Sequence, residues 1–320
     1  MRLDKRDSRI ISMLDTNART TNTRIAKTIR LSKPSVERRI AKLEREGIIS
    51  FFYAVINFTR MGYSQYKLYF KLQNADIEAE EQILRYWTAQ QNAVWVARLR
   101  GKWDVAVSVL AKTNYEFGKV LGEFLGKHGQ FILDKALLLT EYSPVYFKGS
   151  RNEPFVYGLP GPEYEPDEIE ERILSELSVR ARDSIVEIAR RTGMSKDVVL
   201  YRMRKMKKDG IIAGQRVWLN LGKLGIRHDK IMLSTHNLSR ERESALREYV
   251  KASEHTTQFL KLIGPWDVEI ECETKNGDEL HKILVELRHR FSDVIRDYDV
   301  ISIHETLKYD YFPFYHNQFK

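Results

Sequence analysis

Residues 4–49 read DKRDSRIISMLDTNARTTNTRIAKTIRLSKPSVERRIAKLEREGII, and the same pattern returns 163 positions later at residues 167–212. The two segments are identical at 17 of 46 aligned positions, and the offset does not drift along them. It also aligns Gly101-Lys102-Trp103-Asp104 with Gly264-Pro265-Trp266-Asp267 far downstream. A period this long excludes short solenoid repeats and predicts two similar halves, each a complete two-domain unit with its own cores.

Each repeated segment predicts a module of three short helices. In the first half, apolar residues recur at helical spacing in three runs: Ile10, Ile11 and Leu14; Ile25, Ala26 and Ile29; Val36, Ile40 and Leu43. The third run follows Ser32, a favourable N-cap, and Pro34 lies in the first turn, where its missing N–H costs little. A turn that leads into such a helix is typical of a helix-turn-helix, whose last helix can enter the major groove of DNA.

The third helix of each module presents a basic outer face when its apolar residues are buried. A solvated face is the plainer interpretation, but its repetition in both halves favours two DNA-reading helices. The predicted contacts are Lys33, Ser35, Arg38 and Lys42 in the first half, and Lys196, Tyr201, Arg204 and Lys205 in the second. For Arg39 and Arg202, which lie beside the buried stripe, a DNA contact and an ion pair with the first helix of the module are equal alternatives.

Positive charge is concentrated at the start of the chain. The 320 residues include 53 Lys+Arg and 44 Asp+Glu, which gives a net charge of +9. Residues 1–50 hold 13 basic and 6 acidic residues, whereas residues 167–215 hold 11 and 9. The first module should therefore attract the phosphate backbone more strongly than the second.

Cysteine content and hydropathy bear on the compartment. The single cysteine, Cys272, excludes an internal disulfide framework and is typical of a reducing environment, and its place in an alternating strand predicts a buried side chain. No apolar stretch approaches the roughly 20 residues that cross a bilayer. We expect a cytoplasmic, nucleoid-associated protein with no membrane partner.

The N-terminal module resembles that of the Lrp/AsnC family, the feast/famine regulators. The matching positions are Leu3-Asp4, Asp7, Ile10-Ile11, Leu14, Asn17-Ala18-Arg19, Ile25-Ala26, Leu31-Ser32, Ser35-Val36, Arg39-Ile40, Leu43-Glu44 and Gly47-Ile48-Ile49. The second half repeats most of them, so this chain departs from the usual single-unit member. The resemblance implies a transcription regulator that binds double-stranded DNA and self-associates through its C-terminal domains.

The sequence after each module predicts the element order βαββαβ, which folds as a ferredoxin-like sandwich. Alternation supports the strands: Val268, Ile270 and Cys272 share one face, and Glu269 and Glu271 lie on the other. The predicted fold class is therefore α+β, with two winged or plain helix-turn-helix three-helix modules, each followed by a βαββαβ domain of the type that the family uses for sensing and assembly.

Two loops between central strands are the candidate effector sites. Their residues are Gly101, Trp103 and Asp104, and Gly264, Trp266 and Asp267. A tight hairpin, in which Gly permits a positive φ and Asp accepts backbone N–H groups, explains them without a ligand. The family resemblance adds the alternative of a small effector, such as an amino acid, held at an interface close to this loop.

Signals of catalysis are sparse. The eight histidines lack metal-ligand spacing, and no phosphate-binding glycine loop or nucleophile elbow is present, so we expect no metal, no cofactor and no enzymatic activity. Two other functions remain open. One is a chromosome-architectural protein without an effector. The other is an enzyme similar to siroheme decarboxylases, which resemble this architecture and occur as paired or fused halves; of their His-rich stretch before the second strand, only His255 has a counterpart here.

The predicted organisation has six parts, with a Pro- and Gly-rich linker between the halves and an aromatic tail that covers a sheet edge or a partner. The parts are a helix-turn-helix at 1–50, a connecting strand and βαββαβ domain at 51–147, the linker at 148–166, a second helix-turn-helix at 167–213, a second connecting strand and βαββαβ domain at 214–312, and the tail at 313–320.

Overall fold

The computed structural model describes residues 3–146, 154–159 and 161–314. The chain forms two compact units, and both halves contribute to each of them. The first unit contains the described residues before Phe58 together with Tyr164–Ile226, and the second contains Phe58–Glu163 and Arg227–Phe314. The predicted fold class is confirmed: two helix-turn-helix modules are present, and each is followed in the chain by a β-rich region.

The first unit contains six helices and two strands among the described residues. They are α1 (Lys5–Thr16), α2 (Asn22–Ile29), α3 (Lys33–Arg45), β1 (Ile49–Ile56), α6 (Glu168–Arg180), α7 (Ile185–Thr192), α8 (Lys196–Lys208) and β7 (Ile212–Leu219). Side-chain caps start the helices, as when Asp4 accepts hydrogen bonds from the backbone N–H groups of Arg6 and Asp7 at the start of α1. Residues Ile10, Leu14 and Val36 are fully buried in the first module.

The two modules are joined within this unit by an antiparallel ribbon of β1 and β7, in which Phe52 pairs with Val217. The ribbon is flanked by equivalent hydrogen bonds from each half: the Ala18 N–H donates to the Gln215 carbonyl at 2.8 Å, and the Ala181 N–H donates to the Phe52 carbonyl at 2.8 Å. Because the two bonds are related by the 163-residue offset, the halves pair with local pseudo-twofold symmetry.

The second unit contains the two βαββαβ regions. Their elements are β2 (Ser64–Leu72), α4 (Ile77–Ala89), β3 (Ala93–Arg100), β4 (Val105–Ala111), α5 (Asn114–His128) and β5 (Ile132–Val145), and β8 (Arg227–Thr235), α9 (Arg240–Ala252), β9 (Thr256–Ile263), β10 (Val268–Thr274), α10 (Gly277–Arg290) and β11 (Ile295–Tyr309).

These strands close into a barrel. Neighbouring strands pair in the order β2-β4-β3-β11-β8-β10-β9-β5, and β5 pairs again with β2. The edges of the two halves meet where β11 pairs with β3 and where β5 pairs with β9. Residues on the outer faces of the strands pack under the helices in two clusters, each built mainly from one half, and Cys272 is buried in the cluster of the second half, as predicted.

A third cluster lies where the inner faces of both halves meet. It includes Tyr69, Trp95, Trp103 and Trp266. Tyr69, on β2 of the first half, contacts Trp266, in the loop between β9 and β10 of the second half, with ring centroids 5.9 Å apart. The barrel interior is therefore a packed core shared by the two halves, and neither half could bury its inner face alone.

The segment 148–166, predicted to be a linker outside helix and sheet, includes a short strand, β6 (Phe155–Tyr157). The strand forms because β5 extends far enough to pair with it at Ser143–Val145. The aromatic tail begins against the same region: Tyr311 contacts the Tyr157 ring at a centroid distance of 5.9 Å, and Phe314 stacks on Tyr63 at 4.7 Å. The tail residues Tyr315 and Phe319 lie outside the described residues.

Candidate DNA-binding surface

The helix α3 presents its basic residues as the sequence pattern predicts. Its N-cap Ser32 accepts a hydrogen bond from the Ser35 N–H at 3.3 Å, and Pro34 occupies the first turn. With the apolar stripe buried, the side chains of Lys33, Arg38 and Lys42 are exposed, and Ser35 is half-buried. Lys33 and Lys42 make only loose i,i+4 ion pairs with Glu37 and Glu46, at 3.5 and 3.8 Å.

Arg39 has a structural role. Its guanidinium lies 2.7 Å from an Asp4 carboxylate oxygen and 2.6 Å from one of Asp7, so it connects α3 to the first turn of α1. The backbone N–H of Asp7 and the Arg39 guanidinium hold the pKa of Asp4 below its ordinary value. The ion pair that was one of the two alternatives for this residue is present, and a DNA contact of Arg39 stays a prediction.

The basic side chains of α8 are more extensively bonded to residues of their own half. Arg202 pairs with Asp167 at 2.8 Å and with the buried Glu170 at 3.0 Å. Lys205 lies 3.3 Å from Glu170 and donates a hydrogen bond to the Tyr164 hydroxyl at 3.0 Å, and these two bonds raise its pKa. Lys205 is thus held by a buried carboxylate and a hydroxyl, whereas its counterpart Lys42 has the looser ion pair with Glu46.

The other three predicted contact residues of α8 face outward. Lys196, Tyr201 and Arg204 are exposed, and Tyr201 keeps 64% of its surface accessible. The outer faces of the two third helices differ at several positions. Arg38 of α3 corresponds to Tyr201 of α8 at the centre of the face, and Ser35 and Ala41 correspond to Val198 and Arg204. The two faces therefore present different chemistry to a base pair.

Two arginines that sequence reasoning left without a role connect the modules to each other. Arg19 donates to the Ala181 carbonyl at 2.8 Å, and Arg182 donates to the Thr20 carbonyl at 3.0 Å and to Asn22 at 2.6 Å. The repeat Ala18-Arg19/Ala181-Arg182 was visible in the sequence, but nothing local in the pattern shows that each arginine reaches into the other half.

The two predicted effector loops contact each other through their tryptophans. Trp103 and Trp266 meet edge to face with ring centroids 6.2 Å apart, and Lys102 lies 5.8 and 5.9 Å from the two rings. The Trp266 indole donates to Asp299 at 3.0 Å, whereas the buried Trp103 indole N–H has no partner within the described part of the chain.

The aspartates of these loops fasten the hairpins to neighbouring strands. Asp104 accepts hydrogen bonds from the Leu72 N–H at 2.7 Å and from Lys71 at 3.1 Å. Asp267 accepts from the N–H of Thr235 at 2.6 Å and from its hydroxyl at 2.9 Å. Gly101 has a φ of +111°, and a Cβ at Gly264 would approach the Leu137 carbonyl oxygen to 2.8 Å. The hairpin explanation thus accounts for both the glycines and the aspartates.

A separate groove of about 510 Å³ lies at the end of α10 and the start of β11. It is lined by Val285, Arg288, His289, Ser292, Ile295, Arg296, Asp297 and Tyr298. None of the predicted effector residues lines this groove.

Comparison with known proteins gives the family. The model of the winged helix-turn-helix DNA-binding family matches residues 3–50 and 166–213. A proline dehydrogenase transcriptional activator from Rhodobacter capsulatus is 30% identical over 123 residues, which are 38% of this chain and 79% of that protein. The leucine-responsive regulatory protein of Rhizobium meliloti is 27% identical over 125 residues, again 38% of this chain and 79% of the relative. The chain belongs to the Lrp/AsnC family. Both helix-turn-helix modules of this Lrp/AsnC chain indicate DNA binding, and its relatives are transcription regulators.

A solved structure matches nearly the whole of this Lrp/AsnC chain. The siroheme decarboxylase NirDL superposes with a TM-score of 0.62 at 14% identity, over 96% of this chain and 93% of that one. This match overturns the expectation of a chain without enzymatic activity, because the fold that spans both halves is shared with an enzyme. The absence of a metal-ligand spacing, a glycine loop and a nucleophile elbow did not predict this similarity, since those motifs belong to other folds. In the described ranges, no helix combines the length and the apolar character that a bilayer crossing requires.

Proposed function

We propose that the chain is a sequence-specific transcription regulator that reads an asymmetric DNA site with two unlike helices, α3 and α8. The observation that carries this proposal is the pairing of both modules inside one unit, through β1 and β7 and through the exchange of Arg19 and Arg182. A homodimer with two identical reading helices favours a palindrome, and a single chain with two different helices favours unequal half-sites about 34–36 Å apart or a multiple of that.

The two half-sites should contribute unequally to base discrimination. In the first module Arg38 is exposed, and it has no ion pair among the residues that the structure describes. In the second, the corresponding position is Tyr201, and Lys205 is held by Glu170 of the same module. The exposed Arg204 lies one turn further along its helix. Since the first turns of a reading helix lie nearest the base edges and arginine discriminates guanine, we assign the stronger base preference to the half-site under α3.

Arginine at both central positions tests the asymmetry directly. Random-sequence DNA is selected with the native chain and with the variant Tyr201→Arg. We expect the native chain to select two unequal half-sites, and Tyr201→Arg to shift the half-site under α8 toward the base preference of the half-site under α3. A palindromic consensus for the native chain would contradict the proposal, and equal affinity for all sequences would instead indicate a chromosome-architectural protein.

We further propose that a small effector such as an amino acid acts at the end of the barrel where the two tryptophan loops meet. Two features support this site: loops from both halves converge there, and the Trp103 indole N–H is buried without a partner in the described chain. A relative is named leucine-responsive. The test titrates the twenty amino acids against Trp fluorescence and DNA affinity, in the native chain and in Trp103→Phe. If no amino acid changes either signal, the effector part of the proposal is wrong.

A second candidate function is decarboxylation of a siroheme-like tetrapyrrole, and the whole-chain match to NirDL favours it. Purified protein is incubated with siroheme, and the absorbance spectrum and product mass are followed. A product that has lost CO2 from its carboxyl groups would establish this activity. Unchanged siroheme together with specific DNA binding would support the transcription-regulator function alone.

A further inference from the structure

A network of ionisable side chains in the interior of the barrel centres on two lysines and two glutamates, and the Tyr69 hydroxyl contacts Glu269 at 3.2 Å and His228 contacts Glu271 at 3.3 Å. Lys67 of β2 pairs with Glu269 of β10, and Lys230 of β8 lies 2.5 Å from both Glu269 and Glu271. Lys67 and Lys230 are each 2% exposed and Glu269 is fully buried. Because β2 and β10 are not neighbouring strands, the bond from Lys67 to Glu269 crosses the barrel and connects the two halves.

The two halves contribute unequally to this network. Lys67 and Lys230 are 163 positions apart, so the repeat places one lysine in each half. The first-half counterparts of Glu269 and Glu271 are Ala106 and Ser108, which carry no charge. Both lysines therefore depend on carboxylates that only the second half supplies.

This inequality makes the interior charge depend on which halves pair. A first half with a second half encloses two lysines and two glutamates, which balance. Two first halves would enclose two lysines and none of these carboxylates, and two second halves would enclose two lysines and four. A buried charge without its partner is strongly destabilising, so both like pairings leave an excess charge that the native pairing avoids.

We propose that this network makes the barrel face of the first half accept the second half as its partner and reject another copy of itself. The sheet face that carries Lys67 is complementary to a partner with buried carboxylates on a central strand, as β10 has. Charge balance then keeps two unlike reading modules together in every assembled unit. This inference does not depend on the DNA site or on the effector.

A cysteine pair reports on like pairing. Leu139 of β5 pairs with Ile263 of β9, and Arg100 is the first-half counterpart of Ile263. In a pair of two first halves, residue 139 of one copy would lie opposite residue 100 of the other. Within one chain these positions are separated by β2 and β4. The variant Arg100→Cys/Leu139→Cys would therefore form a disulfide-linked dimer under mild oxidation only when like halves pair.

The test introduces this reporter into two full-length chains. One has the native interior, and the other has an uncharged interior with Lys67→Met, Lys230→Met, Glu269→Leu and Glu271→Gln. Apolar replacement of a buried ion pair usually preserves folding, so both should keep their circular dichroism and thermal midpoint. We expect at least about tenfold more covalent dimer from the uncharged interior, because the penalty for like pairing has been removed.

A transplant variant separates partner choice from simple stability. It moves the carboxylates to the first half, as Ala106→Glu/Ser108→Glu with Glu269→Ala/Glu271→Ser, and therefore keeps two charges of each sign in the unlike pair. We expect this chain to fold with little covalent dimer. The proposal is overturned if the folded uncharged variant gives no more covalent dimer than the native interior, or if the folded transplant variant dimerises as readily as the uncharged one.

Discussion

Arg38→Ala is expected to weaken binding of the selected DNA site by about 10- to 100-fold and to relax base preference in one half-site only. The reason is that a bidentate arginine–guanine contact contributes about 1–3 kcal/mol of discrimination. Arg38 is exposed near the middle of α3, and no described residue engages it in an ion pair. The measurement is the Kd for the selected site and for its single-base variants at fixed salt concentration.

A matched pair of lysines provides the control. Lys42 and Lys205 occupy equivalent positions in the repeat, but Lys205 is held by Glu170 and Tyr164. Lys42→Ala should reduce the slope of log affinity against log salt concentration by about 1 without changing base preference, because it removes one phosphate contact. Lys205→Ala should leave that slope nearly unchanged. Equal effects of the two lysines, or no effect of Arg38→Ala, would contradict the assignment.

Helical periodicity and capping were sufficient to predict both three-helix modules. Ser32 and Ser195 start the third helices as expected, and the residues assigned to the buried stripe of α3 are buried. These features are local, since a cap and its stripe lie within one helix. The element order βαββαβ was also readable, because each strand alternates and each helix has its own apolar face.

What sequence reasoning missed depends on contacts between the halves. The alternation around β10 shows that Glu269 lies opposite Val268 and Ile270, but not that this second face is covered by the other half. The hydrogen bond from Lys205 to Tyr164 was missed for a similar reason, because Tyr164 comes from the segment predicted to be a linker. Such contacts join residues that are distant in sequence, and no local period encodes them.

Glu269→Gln is expected to lower the free energy of unfolding by about 3–5 kcal/mol at neutral pH, because it leaves buried lysine charge without its partner. Burial would by itself raise the pKa of Glu269, but the ammonium groups of Lys230 and Lys67 outweigh burial and hold that pKa below its ordinary value. Burial lowers the pKa of Lys67 to about 8 despite the attraction of Glu269, so the loss of this carboxylate should favour the neutral lysine. Urea denaturation of the native and variant chains at pH 7 measures the difference.

The pH dependence of this difference follows from the direction of the shift. A carboxyl group with a lowered pKa in the folded state contributes stability that is complete above its unfolded pKa, and the contribution is lost as the pH falls through the folded value. The gap between the native chain and Glu269→Gln should therefore be widest near neutral pH and narrow below about pH 4. Glu271→Gln should show the same pH dependence, because burial is outweighed by Lys230 and His228, which hold the pKa of Glu271 well below its ordinary value. Glu254→Gln is the control: its side chain is 83% exposed, and we expect little change in stability at either pH. If the gap were the same at pH 7 and pH 3, the contribution of Glu269 would come from its shape, and its charge would not be needed to balance the lysines.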